Sequence, residues 1–118
     1  MTVKLNDRGY EQASRLIETG NFVEDERDAW GEHHPSTRAE KEFIEKRGFA
    51  EYGKWFLAVN DEYAEDARRH YELPHGDFEK VHRCAVLAAQ DRARHYEHID
   101  IENALTELLA MIDDRGRE

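Results

Sequence analysis

The sequence of 118 residues contains a single cysteine, Cys84, so an internal disulfide is excluded. It has no apolar run near the roughly 18 residues that a membrane-spanning helix requires. Its first residues, MTVKLNDRGYEQ, lack the apolar core of a secretory signal. These absences predict a cytoplasmic protein without a membrane segment.

Basic residues are also scarce in this chain. There are 17 lysines and arginines against 27 aspartates and glutamates, which gives a formal net charge of -10. Nucleic-acid binding that is independent of base sequence needs a basic surface, and anionic membranes likewise attract positive charge. We therefore expect neither nucleic acid nor a membrane among the partners.

Only two prolines, Pro35 and Pro74, interrupt the chain, and no repeat, low-complexity tract or Gly/Ser linker is visible. A chain of this length is typical of one domain. We predict a mainly α, compact single-domain bundle of four to six helices over residues 1–118. The N-terminal third, residues 1–35, is expected to pack loosely.

Hydrophobic spacing and capping residues predict most of these helices. The segments are 7–20, 36–47, 60–73, 77–96 and 100–113. The aromatic segment FAEYGKWFLAVN, residues 49–60, fits a helix period and, over its second half, also a strand alternation. A helix is favoured there, with a short strand near residues 54–59 as the alternative.

The predicted helix 77–96 is apolar over much of its circumference, which indicates a helix that is central in the domain or shared with a partner chain. Arg92 projects from its main apolar face, where an unpaired charge would be very unfavourable. We expect an internal ion pair there. The alternative is an anion-binding site of Arg92, Lys80 and Arg83 near the helix start, where backbone N–H groups are exposed.

Imidazole is the commonest metal ligand in proteins, and the chain has seven histidines. A turn brings His75 and Asp77 close to the first turn of helix 77–96, where His82 lies, so these three residues are a candidate metal site. The favoured interpretation is that His82 is a partly buried, hydrogen-bonded histidine. Two other pairs are expected at the surface and at helix ends, respectively: His33 with His34, and His95 with His98.

Two further features are interpreted structurally. Cys84 on a helix favours inert packing over a nucleophile. The acidic run EDERD, residues 24–28, is typical of a solvated surface. Its alternative role is to mimic nucleic acid, which requires all its acids on one face: Glu24, Asp25, Glu26 and Asp28.

Two stretches, EYGKWFLAV and ELPHGDFEKVHRCAVLAAQDRARHYEHIDIENALTELL, resemble a group of short, uncharacterised bacterial proteins that share a GKW…LPxGDFxKVHR…AA segment. The resemblance covers roughly residues 37–113. No activity is known for that group, so the resemblance implies no function. It implies that the turn and helix start from Pro74 to Arg83 are the characteristic feature.

No short catalytic or nucleotide-binding signature is present, and an enzyme is not favoured. The pattern best fits a non-enzymatic interaction, adaptor or regulatory protein without a cofactor, which binds a protein partner or self-associates. The first alternative is a small metal- or anion-binding protein, with or without catalysis, centred on residues 74–83. The second is the acidic mimic of nucleic acid.

Overall fold

The computed structural model describes residues 3–116 and shows an α/β domain. Within this range lie five helices: α1 (Asp7–Glu18), α2 (Trp30–His33), α3 (Thr37–Gly53), α4 (Arg83–His95) and α5 (Ile99–Gly116). Five strands accompany them: β1 (Val3–Leu5), β2 (Phe22–Val23), β3 (Phe56–Asn60), β4 (Tyr71–Pro74) and β5 (Val81–His82). The prediction of a mainly α bundle is therefore wrong, because these strands pair into sheets.

The strands form two separate sheets. β3 is the central strand of an antiparallel sheet, with β1 on one side and β4 on the other. β2 and β5 pair in parallel, with Phe22 opposite Val81 and Val23 opposite His82. Because β5 runs directly into α4, this parallel pair brings the chain that follows β2 to the first turn of that helix.

Strand β3 explains why the aromatic segment was ambiguous. Leu57 and Ala58 belong to the main core, which also receives side chains from α1, α4 and α5. Phe56 belongs to a second cluster with Tyr52 and Trp55. A strand covered on both faces shows no alternation of apolar and polar residues. The favoured helix is found only as far as Gly53, and the alternative strand forms over Phe56–Asn60.

Residues 60–73 do not form the predicted charged helix. They form a loop, a short 3₁₀ helix over Arg68–His70 and most of strand β4. The backbone of β4 pairs with β3 instead. This tertiary pairing overrides the helix propensity of the charged residues.

Helix α3 bends at Gly48, where the sequence had predicted the helix to end. The backbone there has φ of 83° and ψ of 169°, a conformation essentially restricted to glycine. The chain then continues as helix to Gly53. This second part places Tyr52 in the aromatic cluster with Trp55.

Helices α4 and α5 supply much of the main core. The helix predicted over residues 100–113 is confirmed by α5, which buries Ile101, Leu105, Leu108 and Ile112 completely. The helix predicted over 77–96 starts only at Arg83, because residues 77–82 form a turn and β5. The apolar side chains of α4 are largely buried within this one chain.

Helix α1 also contributes to the main core from within the N-terminal third. Its side chains Ala13 and Ile17 are completely buried. No helix within residues 3–116 combines the length and the apolarity that a membrane crossing would need.

Candidate metal centre

Three parts of the chain meet at the start of α4. His82, the last residue of β5, directly precedes the helix, and the loop after β2 brings Asp25 beside it. The turn before β5 contributes Asp77. Its Oδ1 accepts the backbone N–H groups of Glu79 and Lys80 at 3.0 and 2.8 Å, so that Oδ2 is left to face His82.

Both ring nitrogens of His82 lie against carboxylate oxygens. Nδ1 is 2.7 Å from Oδ2 of Asp25, and Nε2 is 2.8 Å from Oδ2 of Asp77. Ionised carboxylates only accept hydrogen bonds, so both nitrogens carry protons and the ring is positively charged. Burial lowers the pKa of His82, but the bonds to Asp25 and Asp77 outweigh burial and raise that pKa above its usual value.

Asp25 also caps the N-terminus of α4. His82 occupies the N-cap position but makes no capping hydrogen bond with its side chain. Instead, Oδ1 of Asp25 accepts the backbone N–H of Cys84 at 2.9 Å, and a negative charge is favourable at this end of a helix. Burial raises the pKa of Asp25, but the bonds from His82 and Cys84 outweigh burial and lower it below its usual value.

Asp25, His82 and Cys84 together form a cluster of potential metal ligands. Among the residues that the structure describes, 3–116, their carboxylate oxygen, ring nitrogen and sulfur lie within 4.8 Å of one another. Burial, together with the hydrogen bond to Asp25, raises the pKa of the Cys84 thiol to about 12. The cluster thus holds its thiol in the neutral form at physiological pH.

Helix α2 lies over this cluster. Nε2 of His33 is 3.8 Å from Oδ2 of Asp25, and the His33 ring stacks on His82 with 5.2 Å between ring centres. Trp30 lies 5.8 Å from the His82 ring. A cavity of about 240 Å³ adjoins Cys84 and is lined by Arg27, Asp28, Trp30, Gly31, Cys84, Ala88 and Asp91.

The structure brings together two of the three residues of the predicted metal site. Asp77 and His82 are hydrogen-bonded, but His75 does not join them. The His75 ring is fully buried, donates from Nε2 to the backbone carbonyl of Lys54 at 2.8 Å, and packs on Trp55. Nε2 of His75 thus faces the backbone of Lys54 and not the His82 ring. The spacing of residues around the turn does not reveal this orientation.

The three residues of the predicted anion site are spread out. Arg92 is exposed and makes no ion pair with any described residue, so the expected internal ion pair on a buried face is wrong. It lines a separate cavity of about 190 Å³ next to Leu73. Arg83 pairs with Asp113 at 3.0 Å, and Lys80 is exposed. Arg83 and Arg92 are nine residues apart on α4, which is about 13 Å along the helix axis.

Two residues of the cluster were missed in the sequence. Asp25 was assigned to a solvated acidic run, yet its side chain is only 11% exposed. Its neighbours Glu24, Glu26 and Asp28 are exposed, so Asp25 does not share their outer surface. Cys84 was assigned to packing alone. The signal that unites them is the pairing of β2 with β5, which local periodicity does not reveal.

Comparison of the chain with protein-family models, with curated proteins and with solved structures found no match. The chemistry of the cluster is therefore inferred from its geometry.

Proposed function

We propose that this protein binds a divalent transition metal of the zinc type through Asp25, His82 and Cys84. The observation that carries the proposal is the convergence of a carboxylate oxygen, a ring nitrogen and a sulfur within 4.8 Å. This combination of ligands is typical of zinc and chemically related ions. It differs from the oxygen-only ligand sets that magnesium and calcium prefer.

The hydrogen bonds around the cluster support the same proposal. Asp77 accepts the Nε2 proton of His82, which leaves Nδ1 as the nitrogen that faces Asp25. A carboxylate behind a ligating histidine is the usual outer partner in zinc sites, because it fixes the orientation and tautomer of the ring. The N–H of Cys84 fixes Asp25 in turn by binding its other oxygen.

The charges of the cluster also suit a dication. A metal ion takes the position of the proton between His82 and Asp25, which are 2.7 Å apart, and displaces the thiol proton of Cys84. The neutral imidazole, the carboxylate and the thiolate then carry two negative charges between them. Ligand atoms in a tetrahedral zinc site are roughly 3.3 Å apart, so the two side chains separate by about half an ångström.

The test uses protein purified without a histidine tag and stripped with a chelator. We expect one Zn²⁺ per chain in a competition titration, and a sulfur-to-metal charge-transfer band when Co²⁺ is used. The variants Asp25→Asn, His82→Gln and Cys84→Ser should each weaken binding by about tenfold or more. The control is His75→Gln, which alters a histidine outside the cluster and should bind as the wild type does.

Two outcomes would contradict the proposal. The first is a wild-type protein that is folded and free of metal, yet binds neither Zn²⁺ nor Co²⁺. The metal concentration in this experiment is about 100 times the dissociation constant of a typical site. The second is unchanged binding in all three cluster variants, which would place the metal elsewhere on the chain.

The interaction or adaptor function stays a prediction. The burial of α4 gives it less support than the sequence pattern alone does. Its main motivation is a helix with apolar residues on many sides, a pattern that favours a partner chain. In the structure, α4 buries its apolar residues against its own chain: Cys84, Ala85, Val86, Leu87, Ala89 and Ala93. The cluster at its N-terminus is the more specific feature.

A further inference from the structure

His33 is a further side chain beside the cluster that can supply a metal ligand. Its Nε2 lies 3.8 Å from Oδ2 of Asp25, the same oxygen that faces Nδ1 of His82. The two imidazole rings are nearly parallel, with an interplanar angle of 27°. The adjacent His34 differs, because its Nδ1 lies 3.1 Å from the carbonyl of Pro35.

Helix α2, which carries His33, is held by few contacts of its own. It has four residues, none of them buried, and its N-cap residue Ala29 makes no side-chain cap bond. The stacking of Trp30 and His33 on His82 connects it to the cluster. Since none of its residues is buried, this short helix can shift without loss of core packing.

We infer that His33 is the fourth ligand of the metal, so that binding closes the site and fixes α2 to the start of α4. The inference rests on the proposed function and deepens it. Three protein ligands with an open position are the pattern of catalytic zinc sites, whereas four protein ligands are the pattern of closed, structural sites. With His33, the ligands are two neutral imidazoles, one carboxylate and one thiolate, and their charge balances that of a dication.

The consequence is a metal-dependent segment in the N-terminal part of the chain. Without metal, residues 24–34 contact the cluster through the hydrogen bonds of Asp25 to His82 and Cys84 and through the stacking of His33 on His82. With metal, both Asp25 and His33 are bound to the same ion as His82 and Cys84. Amide exchange in this segment should therefore slow down more than exchange elsewhere.

The test compares wild type, His33→Ala and the matched control His34→Ala, all titrated with Zn²⁺ and Co²⁺ alone. The His33 side chain is 42% exposed, so its removal should leave the fold intact. We expect His33→Ala to bind about tenfold or more weakly and to give an altered Co²⁺ spectrum, and free imidazole should restore that spectrum by filling the vacated position. His34→Ala should bind as the wild type does.

A second readout is hydrogen exchange at saturating Zn²⁺. Protection of residues 24–34 should rise in wild type and His34→Ala, and much less in saturated His33→Ala. If wild type binds but His33→Ala has the same affinity, spectrum and protection, the inference is overturned while the proposed three-ligand site stands. If wild type binds no metal, the proposed function fails and the inference fails with it.

Discussion

At the scale of single residues, His75 is a fully buried histidine without a counter-charge. Its Nε2 donates to the carbonyl of Lys54, so the neutral ring carries its proton there and Nδ1 is bare. Nδ1 is buried and has no hydrogen-bond partner among the described residues. Protonation would therefore place a charge without a counter-charge in the core, and burial lowers the pKa of His75 to about 4, against the hydrogen bond to the Lys54 carbonyl.

This pKa predicts a loss of stability on mild acidification. The unfolded chain takes up the proton near the usual pKa of 6.5, whereas the folded chain resists it down to about 4. The contribution of His75 is thus fully present above pH 6.5 and is lost as pH falls towards 4. The full difference corresponds to about 3 kcal/mol.

Urea unfolding of wild type and His75→Gln between pH 7.5 and 4.5 measures this effect. Glutamine keeps a donor near Lys54 but does not titrate, so the free energy of unfolding should fall less steeply with acid in the variant. Parallel curves for the two proteins would contradict the assignment of a neutral, buried His75.

Asp25 joins a buried charge pair to a helix cap. Asp25→Ala leaves the charged His82 with only one carboxylate and removes the acceptor for the N–H of Cys84. We expect the free energy of unfolding to fall by about 3 kcal/mol, measured in urea at pH 7 with a chelator present. The matched control is Glu26→Ala, an exposed acid in the same run, which should change stability by less than about 0.5 kcal/mol. Equal losses of stability in Asp25→Ala and Glu26→Ala would show that the Asp25 contacts with His82 and Cys84 do not stabilise the fold.

At the scale of elements, α1 packs tightly against β3 at Gly9. A Cβ atom added there would lie 1.8 Å from the carbonyl oxygen of Phe56, which is backbone and cannot rotate away. The same strand end is held by Asn6, whose side chain donates to the carbonyls of Gly53 and Phe56 at 2.8 and 2.9 Å. Glycine at this position is therefore a requirement of packing.

Gly9→Ala should separate α1 from β3 and lower the free energy of unfolding by about 3 kcal/mol. Gly31→Ala in α2 is the control, because the added Cβ would have no heavy atom within 4 Å from other parts of residues 3–116, its own helix backbone aside. It should be neutral or stabilise by up to about 1 kcal/mol, since alanine favours helix. Thermal unfolding of both variants decides the matter, and a fully stable Gly9→Ala protein would contradict the described contact.

The elements differ in how far the sequence could predict them. Helices α1 and α5 carry apolar side chains at helical spacing, and both were found near the predicted bounds. Strands β2 and β5 have two residues each, and their pairing joins Phe22 to Val81 across half of the chain. No local pattern indicates such a pair. Asp77 and His82 are close in sequence, so the sequence groups these two hydrogen-bonded residues, whereas it does not group Asp25 with them.

At the scale of the whole molecule, the cluster connects segments that lie far apart in the sequence. His82 meets Asp25 across 57 positions of sequence, and Cys84 meets it across 59. A metal bound by the cluster joins the loop after β2, which carries Asp25, to the start of α4. Helix α4 in turn packs against α5 in the main core. Binding there can therefore act on the stability of the entire domain.

Metal binding to the folded state alone should raise the unfolding temperature of the domain. At a free Zn²⁺ concentration 100 times the dissociation constant, the folded state gains about 2.7 kcal/mol. For a chain of this length, that gain corresponds to a rise of about 10 °C in the unfolding midpoint. Calorimetry of chelator-treated protein with and without Zn²⁺ measures it, with Mg²⁺ and the Asp25→Asn variant as controls that should show little shift. A rise of equal size in Asp25→Asn would mean that the ion stabilises the fold from some other position, because the Asp25 carboxylate is one of the three ligands of the proposed site.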